Sequence, residues 1–248
     1  MSGLVVEDVK KTYAGFAALG GVSIQAEKGS CLAVVGPNGA GKSTLFAIIS
    51  GQTRPDSGRV LVNGADVTRL KPDARSARGL SRTFQVARLF NTFTVRESVV
   101  AAIQAAHRRG RWTGDPLKNA ELRERSAAVL DLVRMGPVAD RLVRELTQGQ
   151  RKRLEFGMAY AQEPSVLVLD EPTAGMGRED TETVMEVLND AKSSSEDLMV
   201  LLTAHDMDVI FGLADRLVVM AQGKVLLEGE PKEVANHPTV AEVYLGRR

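Results

Sequence analysis

CLAVVGPNGAGKST, residues 31–44, is the stretch that decides the fold. Its first five residues, Cys31 to Val35, are an unbroken apolar run, as expected of a strand covered on both faces. The next nine fit the pattern glycine, four residues, glycine, lysine, serine or threonine: Gly36, Pro37, Asn38, Gly39, Ala40, Gly41, Lys42, Ser43 and Thr44. Glycines there let the backbone close around an anion without side-chain clash. The N–H groups then point inward, and a helix from about Lys42 to Ser50 adds its dipole. Lys42 is a mobile point charge for β- and γ-phosphates, and the Ser43 hydroxyl is a ligand for Mg²⁺. A strand–loop–helix that cradles phosphate makes this an α/β nucleotide-binding chain.

Such a site needs acids at the end of a second buried strand. Val166 to Leu169 followed by Asp170-Glu171 supplies them. Two adjacent carboxylates after four aliphatics are costly unless a cation or a reaction needs them. Asp170 suits Mg²⁺, held through water, and Glu171 suits the general base that polarises attacking water. His205 follows the next strand, Leu198 to Thr203, so it is expected at the γ-phosphate; His107 and His237 receive no role.

Outward from these strands the order of elements is legible. Leu4–Val9, Val22–Ala26, Arg59–Val62 and Gly79–Phe84 read as strands, and Arg216–Met220 with Lys224–Glu228 as a hairpin over Gln222-Gly223. Arg178–Lys192 and Asp206–Leu213 read as helices, and Pro231–Gly246 as short terminal ones. From Val95 to Arg144 the period is helical, interrupted by the polar loop HRRGRWTGDP around Trp112. Strands alternating with helices predict a parallel sheet covered on both sides, carrying an inserted helical lobe.

One stretch resists this reading. LTQGQRKR, Leu146 to Arg153, places three basic residues at what reads as a helix start, where the dipole disfavours cations. A solvated basic face is the bland explanation; an anion arriving from outside is the other.

The totals bound the partners. The 248 residues carry a net charge of +1, which gives no case for nucleic acid. A single cysteine, Cys31, permits no internal disulfide and fits a reducing compartment, with a small buried filler as its plain role. No signal peptide is visible at Met1 to Lys10, and no apolar run approaches 18 residues. The chain is expected to be soluble, or to sit on a membrane through a partner.

Taken in order, the motifs resemble the ATP-binding-cassette ATPases over nearly the whole chain: Tyr13, Gly36–Thr44, Gln85, a lobe from Val86 to Arg144, the signature Leu146-Thr147-Gln148-Gly149-Gln150, Asp170-Glu171, then His205. The resemblance implies one domain, with residues 1–85 and 146–248 as an ATP-binding core, a parallel sheet and an antiparallel β subdomain, and residues 86–145 as a helical subdomain. It implies that Tyr13 meets adenine and that Gln85 reaches Mg²⁺ beside Ser43 and Asp170 while sensing the nucleotide for the lobe. It implies that Lys42, Glu171 and His205 act on ATP held with the signature of a second subunit, Thr147 and Gly149 foremost, two ATPs lying at a two-fold interface. The basic triplet would then meet its anion only in that dimer. Two departures stand out: Gln148 replaces a glycine, with reduced turnover expected, and Gly177 stands where the family often has an aspartate, so no site is assigned there.

SRTFQVARLFNTFTVRESV, Ser81 to Val99, DEPTAGM and EVANHPTVAEVYLG resemble the ATPases of branched-chain amino acid importers, a branch whose members also move urea, short amides and aromatic acids. This implies two integral membrane permease subunits, an extracytoplasmic solute-binding protein, and a peripheral place on the cytoplasmic face of the inner membrane. A groove by Phe84 to Phe93 would receive a permease helix, through Phe84, Leu89, Phe90 and Phe93. A lipopolysaccharide-type exporter ATPase and a soluble, non-transport relative remain alternatives; a simple P-loop kinase would lack the signature and the lobe.

Overall fold

The computed structural model describes residues 2–83, 89–106, 116–204 and 206–240. Phe84, Gln85, Trp112, His205 and the chain from 241 lie outside them.

Two sheets organise the chain. The first is antiparallel, in the order β2-β1-β4-β5, from β1 (Ser2–Tyr13), β2 (Phe16–Glu27), β4 (Ser57–Val62) and β5 (Ala65–Asp66). β1 and β2 are longer than their apolar cores, Leu4–Val9 and Val22–Ala26. The outer half of β1 is polar, that of β2 (Phe16-Ala17-Ala18-Leu19-Gly20-Gly21) shows no polar–apolar alternation, and Asp8 (φ 42°) and Gly21 (φ 104°) break the period and shift the register. The two strands join over Ala14-Gly15, both at positive φ, as a tight two-residue hairpin needs.

The second sheet has six strands in the order β10-β9-β3-β8-β7-β6. It comprises β3 (Cys31–Val35), β6 (Leu80–Arg82), β7 (Val166–Asp170), β8 (Met199–Thr203), β9 (Arg216–Ala221) and β10 (Lys224–Gly229). All pairings are parallel except β10 on β9. Side chains alternate between two cores, which explains the unbroken apolar runs. Leu32, Val34, Val166, Val168, Met199 and Leu201 face the first sheet; Ala33, Val35, Leu167, Leu169, Val200 and Leu202 face the other side.

Helix α1 (Lys42–Ile49) lies between the sheets, with Leu45, Phe46, Ile48 and Ile49 fully buried. Its far end is closed by Arg75 of α2 (Pro72–Ser76), a fully buried guanidinium. Arg75 donates to the carbonyls of Ile48 (2.6 Å), Ile49 (2.6 Å), Thr68 (2.9 Å) and Leu70 (3.1 Å). A cation on the last carbonyls of a helix satisfies unpaired acceptors and opposes the dipole.

Between β6 and the signature run α3 (Val95–Ala106) and α4 (Ala120–Leu132), capped by the Asn119 side chain accepting from the Leu122 N–H. They pack Val99, Ile103, Leu122 and Leu130 against α5 (Gln148–Tyr160) in the second core. Helices α6 (Arg178–Ser193), α7 (Met207–Leu213) and α8 (Pro231–Ala235) cover the remainder; Asp206 is the N-cap of α7 rather than its first residue. The parallel sheet, its antiparallel β companion and the intervening helices make a mixed α/β fold.

Candidate functional site

The phosphate loop leaves β3 at the carboxyl end of a parallel sheet, where the crossover to α1 opens a crevice. Two of its glycines are structurally required. A Cβ on Gly36 (φ 149°) would lie 2.1 Å from the Met220 carbonyl, and one on Gly41 (φ 101°) 2.7 Å from that of Ala18. Gly41 is the N-cap of α1 and brings no side-chain cap, so the first N–H groups of the helix face the loop's concavity. The hairpin β9–β10 clamps this arrangement: the Gly223 N–H donates to Ala40 O, and Gly223 O accepts the Gly20 N–H.

Lys42, 8 % exposed, folds back along the loop. Its Nζ donates to Gly36 O at 2.6 Å and Pro37 O at 3.1 Å. Burial holds the ammonium pKa below its ordinary value, against the opposing pull of Glu171 and Asp170. Asn38 through Thr44, Tyr13, Phe16 and Glu171 together line an open cavity of about 440 Å³, in the range of small-molecule sites. Tyr13 and Phe16 stand exposed at the tip of the β1–β2 hairpin, with the Lys11 ammonium 5.4 Å from the Tyr13 ring centroid. Phe16 is absent from the sequence reading; two aromatics flanking Ala14-Gly15 are the signal that marks it.

The acids sit at the end of β7, beside β3's other neighbour β8. Asp170 is 5 % exposed. Its Oδ1 accepts the Thr203 hydroxyl at 2.8 Å and its Oδ2 accepts Arg82 Nη2 at 3.0 Å. The Thr203 hydroxyl in turn accepts the Glu171 N–H at 3.0 Å. Glu171 has φ 50°, a conformation non-glycine residues avoid and which fixes where its carboxylate emerges into the cavity. Thr203 and Arg82 escape sequence reasoning because nothing marks them locally; they act only through the pairing of β6, β7 and β8. Ser43 and Asp170 themselves offer oxygen, the donor a hard cation such as Mg²⁺ prefers, and the Asp170 carboxylate is buried. The residues present fit that ion.

The signature is differently organised from its sequence reading. Helix α5 begins at Gln148, so Gln-Gly-Gln is its first turn and not a loop. Thr147 is the N-cap in a reciprocal capping box: its hydroxyl accepts the Gln150 N–H at 3.2 Å, and Gln150 Oε1 accepts the Thr147 N–H at 3.0 Å. The basic triplet therefore lies beyond the first turn, and each member is engaged within the chain. Arg151 donates to Asn91 Oδ1 and Leu146 O, Lys152 lies 3.8 Å from Glu155, and Arg153 donates to Arg134 O and Val133 O. Within the single chain these side chains already have partners, and the first turn of α5 lies ahead of them. Leu146 is 7 % exposed, the Gln148 amide lies against Gly175, and Gly149 faces Asp180 of α6, whose carboxylate oxygens would be 2.3 and 2.5 Å from a Cβ there. Leu146–Gln150 do not line the cavity beside Lys42. Phe90 is exposed and stacks at 5.0 Å on Phe93, while Leu89 packs into the core. Gln85, His205 and Phe84 are outside the described residues. Among the described residues no helix is long and apolar enough to cross a membrane.

Comparison with known proteins identifies the frame around this site. Residues 19–174 match the family model described as ABC transporter. The chain is 32 % identical over 249 residues to the probable branched-chain amino acid transport ATP-binding protein LivG of Archaeoglobus fulgidus, covering 98 % of this chain and 95 % of that one. It is 35 % identical over 244 residues to the methionine import ATP-binding protein MetN 1 of Rhodopseudomonas palustris, covering 95 % of this chain and 63 % of that one. Among solved structures, the ADP conformation of MJ1267, an ATP-binding cassette of an ABC transporter, superposes with a TM-score of 0.85 at 31 % identity, each chain fully covered. The chain belongs to the ABC transporter family, as one of its ATP-hydrolysing subunits.

Proposed function

We propose that this chain powers an importer of branched-chain amino acids or related small polar solutes. It pairs with a second ATPase subunit beneath two integral membrane permease subunits, on the cytoplasmic face of the inner membrane, and a solute-binding protein outside supplies the cargo. Full-length similarity to a branched-chain amino acid transport protein supports the cargo class. The observation that carries the nucleotide chemistry is the convergence of Lys42, Ser43 and Glu171 on one cavity at the end of the parallel sheet, with Asp170 beside them at the end of β7.

In this reading Tyr13 stacks on adenine, and the N–H groups of Gly36–Thr44 surround the phosphates. Lys42 exchanges the carbonyls of Gly36 and Pro37 for phosphate oxygens, a better partner for a partly desolvated ammonium. Ser43, Asp170 and Gln85 would hold Mg²⁺, which would supply positive charge to offset that of the phosphates. Glu171, steered by its N–H bond to Thr203, takes a proton from the attacking water, and His205 holds the γ-phosphate. The first turn of α5 in the second subunit, Leu146–Gln150, closes over that phosphate. Residues 86–145 move as a lobe against the core, 1–85 with 146–248, and the exposed Phe90, with the half-buried Phe93 beside it, meets a permease helix.

The test uses tagged Glu171→Gln protein. It should bind ATP while turning over about 10²- to 10⁴-fold more slowly; normal turnover refutes the base assignment. Membranes solubilised with ATP present should yield two polytopic subunits with the tagged protein. Export machinery, or soluble partners alone, would overturn the importer reading.

A further inference from the structure

Asp170 has a cation before any metal arrives. The carboxylate is buried, and a buried carboxylate without a counter-charge is strongly disfavoured. Arg82 meets that need at 3.0 Å, with only 11 % of its side chain exposed. The same guanidinium forks away from the carboxylate: Nη1 donates to Ser50 Oγ at 2.9 Å and to Gln52 Oε1 at 3.0 Å, just past the end of α1. The Ser50 hydroxyl itself donates to Phe46 O at 2.8 Å. Arg82 thus ties the acid of β7 to the helix that carries Lys42 and Ser43.

The pose is not fully satisfied. Arg82 Nε is buried with no partner, and an unmet buried donor carries a cost the ion pair has to outweigh. Take away the negative charge that attracts it, and the arginine loses its reason to stay. The strand that carries it is short: β6 has three residues and, among the described residues, lies at the sheet's edge beside β7. Gln85 follows three positions on in the sequence.

We propose that Arg82 is the internal counter-cation of Asp170, a positioning residue that competes with Mg²⁺ for this carboxylate and so sets how much Mg²⁺ the nucleotide site needs. The inference rests on the reading of Asp170 as the Mg²⁺ carboxylate.

The experiment titrates Mg²⁺ against purified full-length protein holding a fluorescent ATP analogue, without turnover as the readout. Arg82→Met keeps length and apolar bulk but removes the competing charge. Its half-saturating Mg²⁺ concentration is expected to fall about tenfold, which corresponds to about 1.4 kcal/mol. Analogue affinity in EDTA should stay within about twofold of the wild type. Mg²⁺ alone should also raise the melting temperature of the variant more than that of the wild type. Arg82→Lys, which keeps a charge but cannot fork to Asp170, Ser50 and Gln52 together, should move the Mg²⁺ midpoint in the same direction by a smaller factor, and it serves in place of Arg82→Met if that variant does not fold. An unchanged or raised midpoint in a folded variant overturns the proposal. Asp170→Asn separates the two failures. If it abolishes the Mg²⁺ dependence while the Arg82 variants leave the midpoint alone, only the role of Arg82 falls. If it leaves the dependence intact, the metal assignment falls with it.

Discussion

Replacing Arg75 by methionine should be among the most damaging single changes in this chain, although Arg75 does not line the cavity beside Lys42. The guanidinium is fully buried and serves four main-chain carbonyls, those of Ile48, Ile49, Thr68 and Leu70. Hydrogen bonds to a charged group contribute roughly 1.5–3 kcal/mol each, so four give on the order of 6–12 kcal/mol. Removing the charge also removes its own desolvation cost, several kcal/mol. The net loss is about 3–5 kcal/mol, a fall of roughly 6–20 °C in melting temperature for a chain of this size. Arg75→Lys should recover little, because one ammonium cannot fork to carbonyls from a loop and a helix end. Burial pulls the guanidinium pKa down to about 10, with Asp66 opposing, so it is charged at neutral pH. Its folded pKa lies below its unfolded one, so stability gains from its deprotonation only above about pH 10, and the loss in Arg75→Met should be constant from pH 6 to 9. Urea unfolding followed by circular dichroism measures it. A loss below about 1 kcal/mol would show that α1 closes its last turn without Arg75 and would refute the reasoning.

Two further outcomes follow from buried groups. Burial pushes the Cys31 thiol up to about 12, leaving roughly one thiolate in 10⁴ at pH 8. Alkylation of the native protein should therefore track unfolding, and labelling at the rate of a free cysteine would contradict its place in β3. Gly149→Ala should cost about 1–3 kcal/mol, because its methyl group enters the space of the Asp180 carboxylate. Asp180→Ala in the same chain should restore most of that, as read by melting temperature; an equal loss with and without Asp180 would locate the cost elsewhere.

What could be read from the sequence was whatever a short run encodes alone. Cys31–Val35 with its glycine loop and Val166–Leu169 with its acid pair carry strand, turn and chemistry in adjacent residues, and both strands appear where expected. What escaped depends on distant pairing. Arg82 reaches Asp170 only because β6 lies beside β7, and Thr203 reaches it only because β8 lies on the other side. The signature was misread for a local reason: Gln148-Gly149-Gln150 has turn composition, yet the capping box at Thr147 starts the helix there and carries the basic triplet into the next turn. The full lengths of β1 and β2 were hidden by the polar outer half of β1, by the glycine pair Gly20-Gly21 in β2 and by the positive-φ residues Asp8 and Gly21.

The position of β3 in its sheet also bears on how the chain is made. Its two neighbours are β8 and β9: Cys31 pairs with Val200 and Val35 with Val219. A ribosome therefore releases the phosphate-loop strand long before either partner exists. Until then its apolar faces and both hydrogen-bonding edges are open to wrong partners, and the core around α1 lacks Met199, Leu201, Val218 and Met220. Non-local parallel pairing of this kind folds slowly and invites association with other chains. The most ligand-ready segment of the molecule is thus the one that waits longest for its framework, and nascent chains need shelter until β9 has emerged.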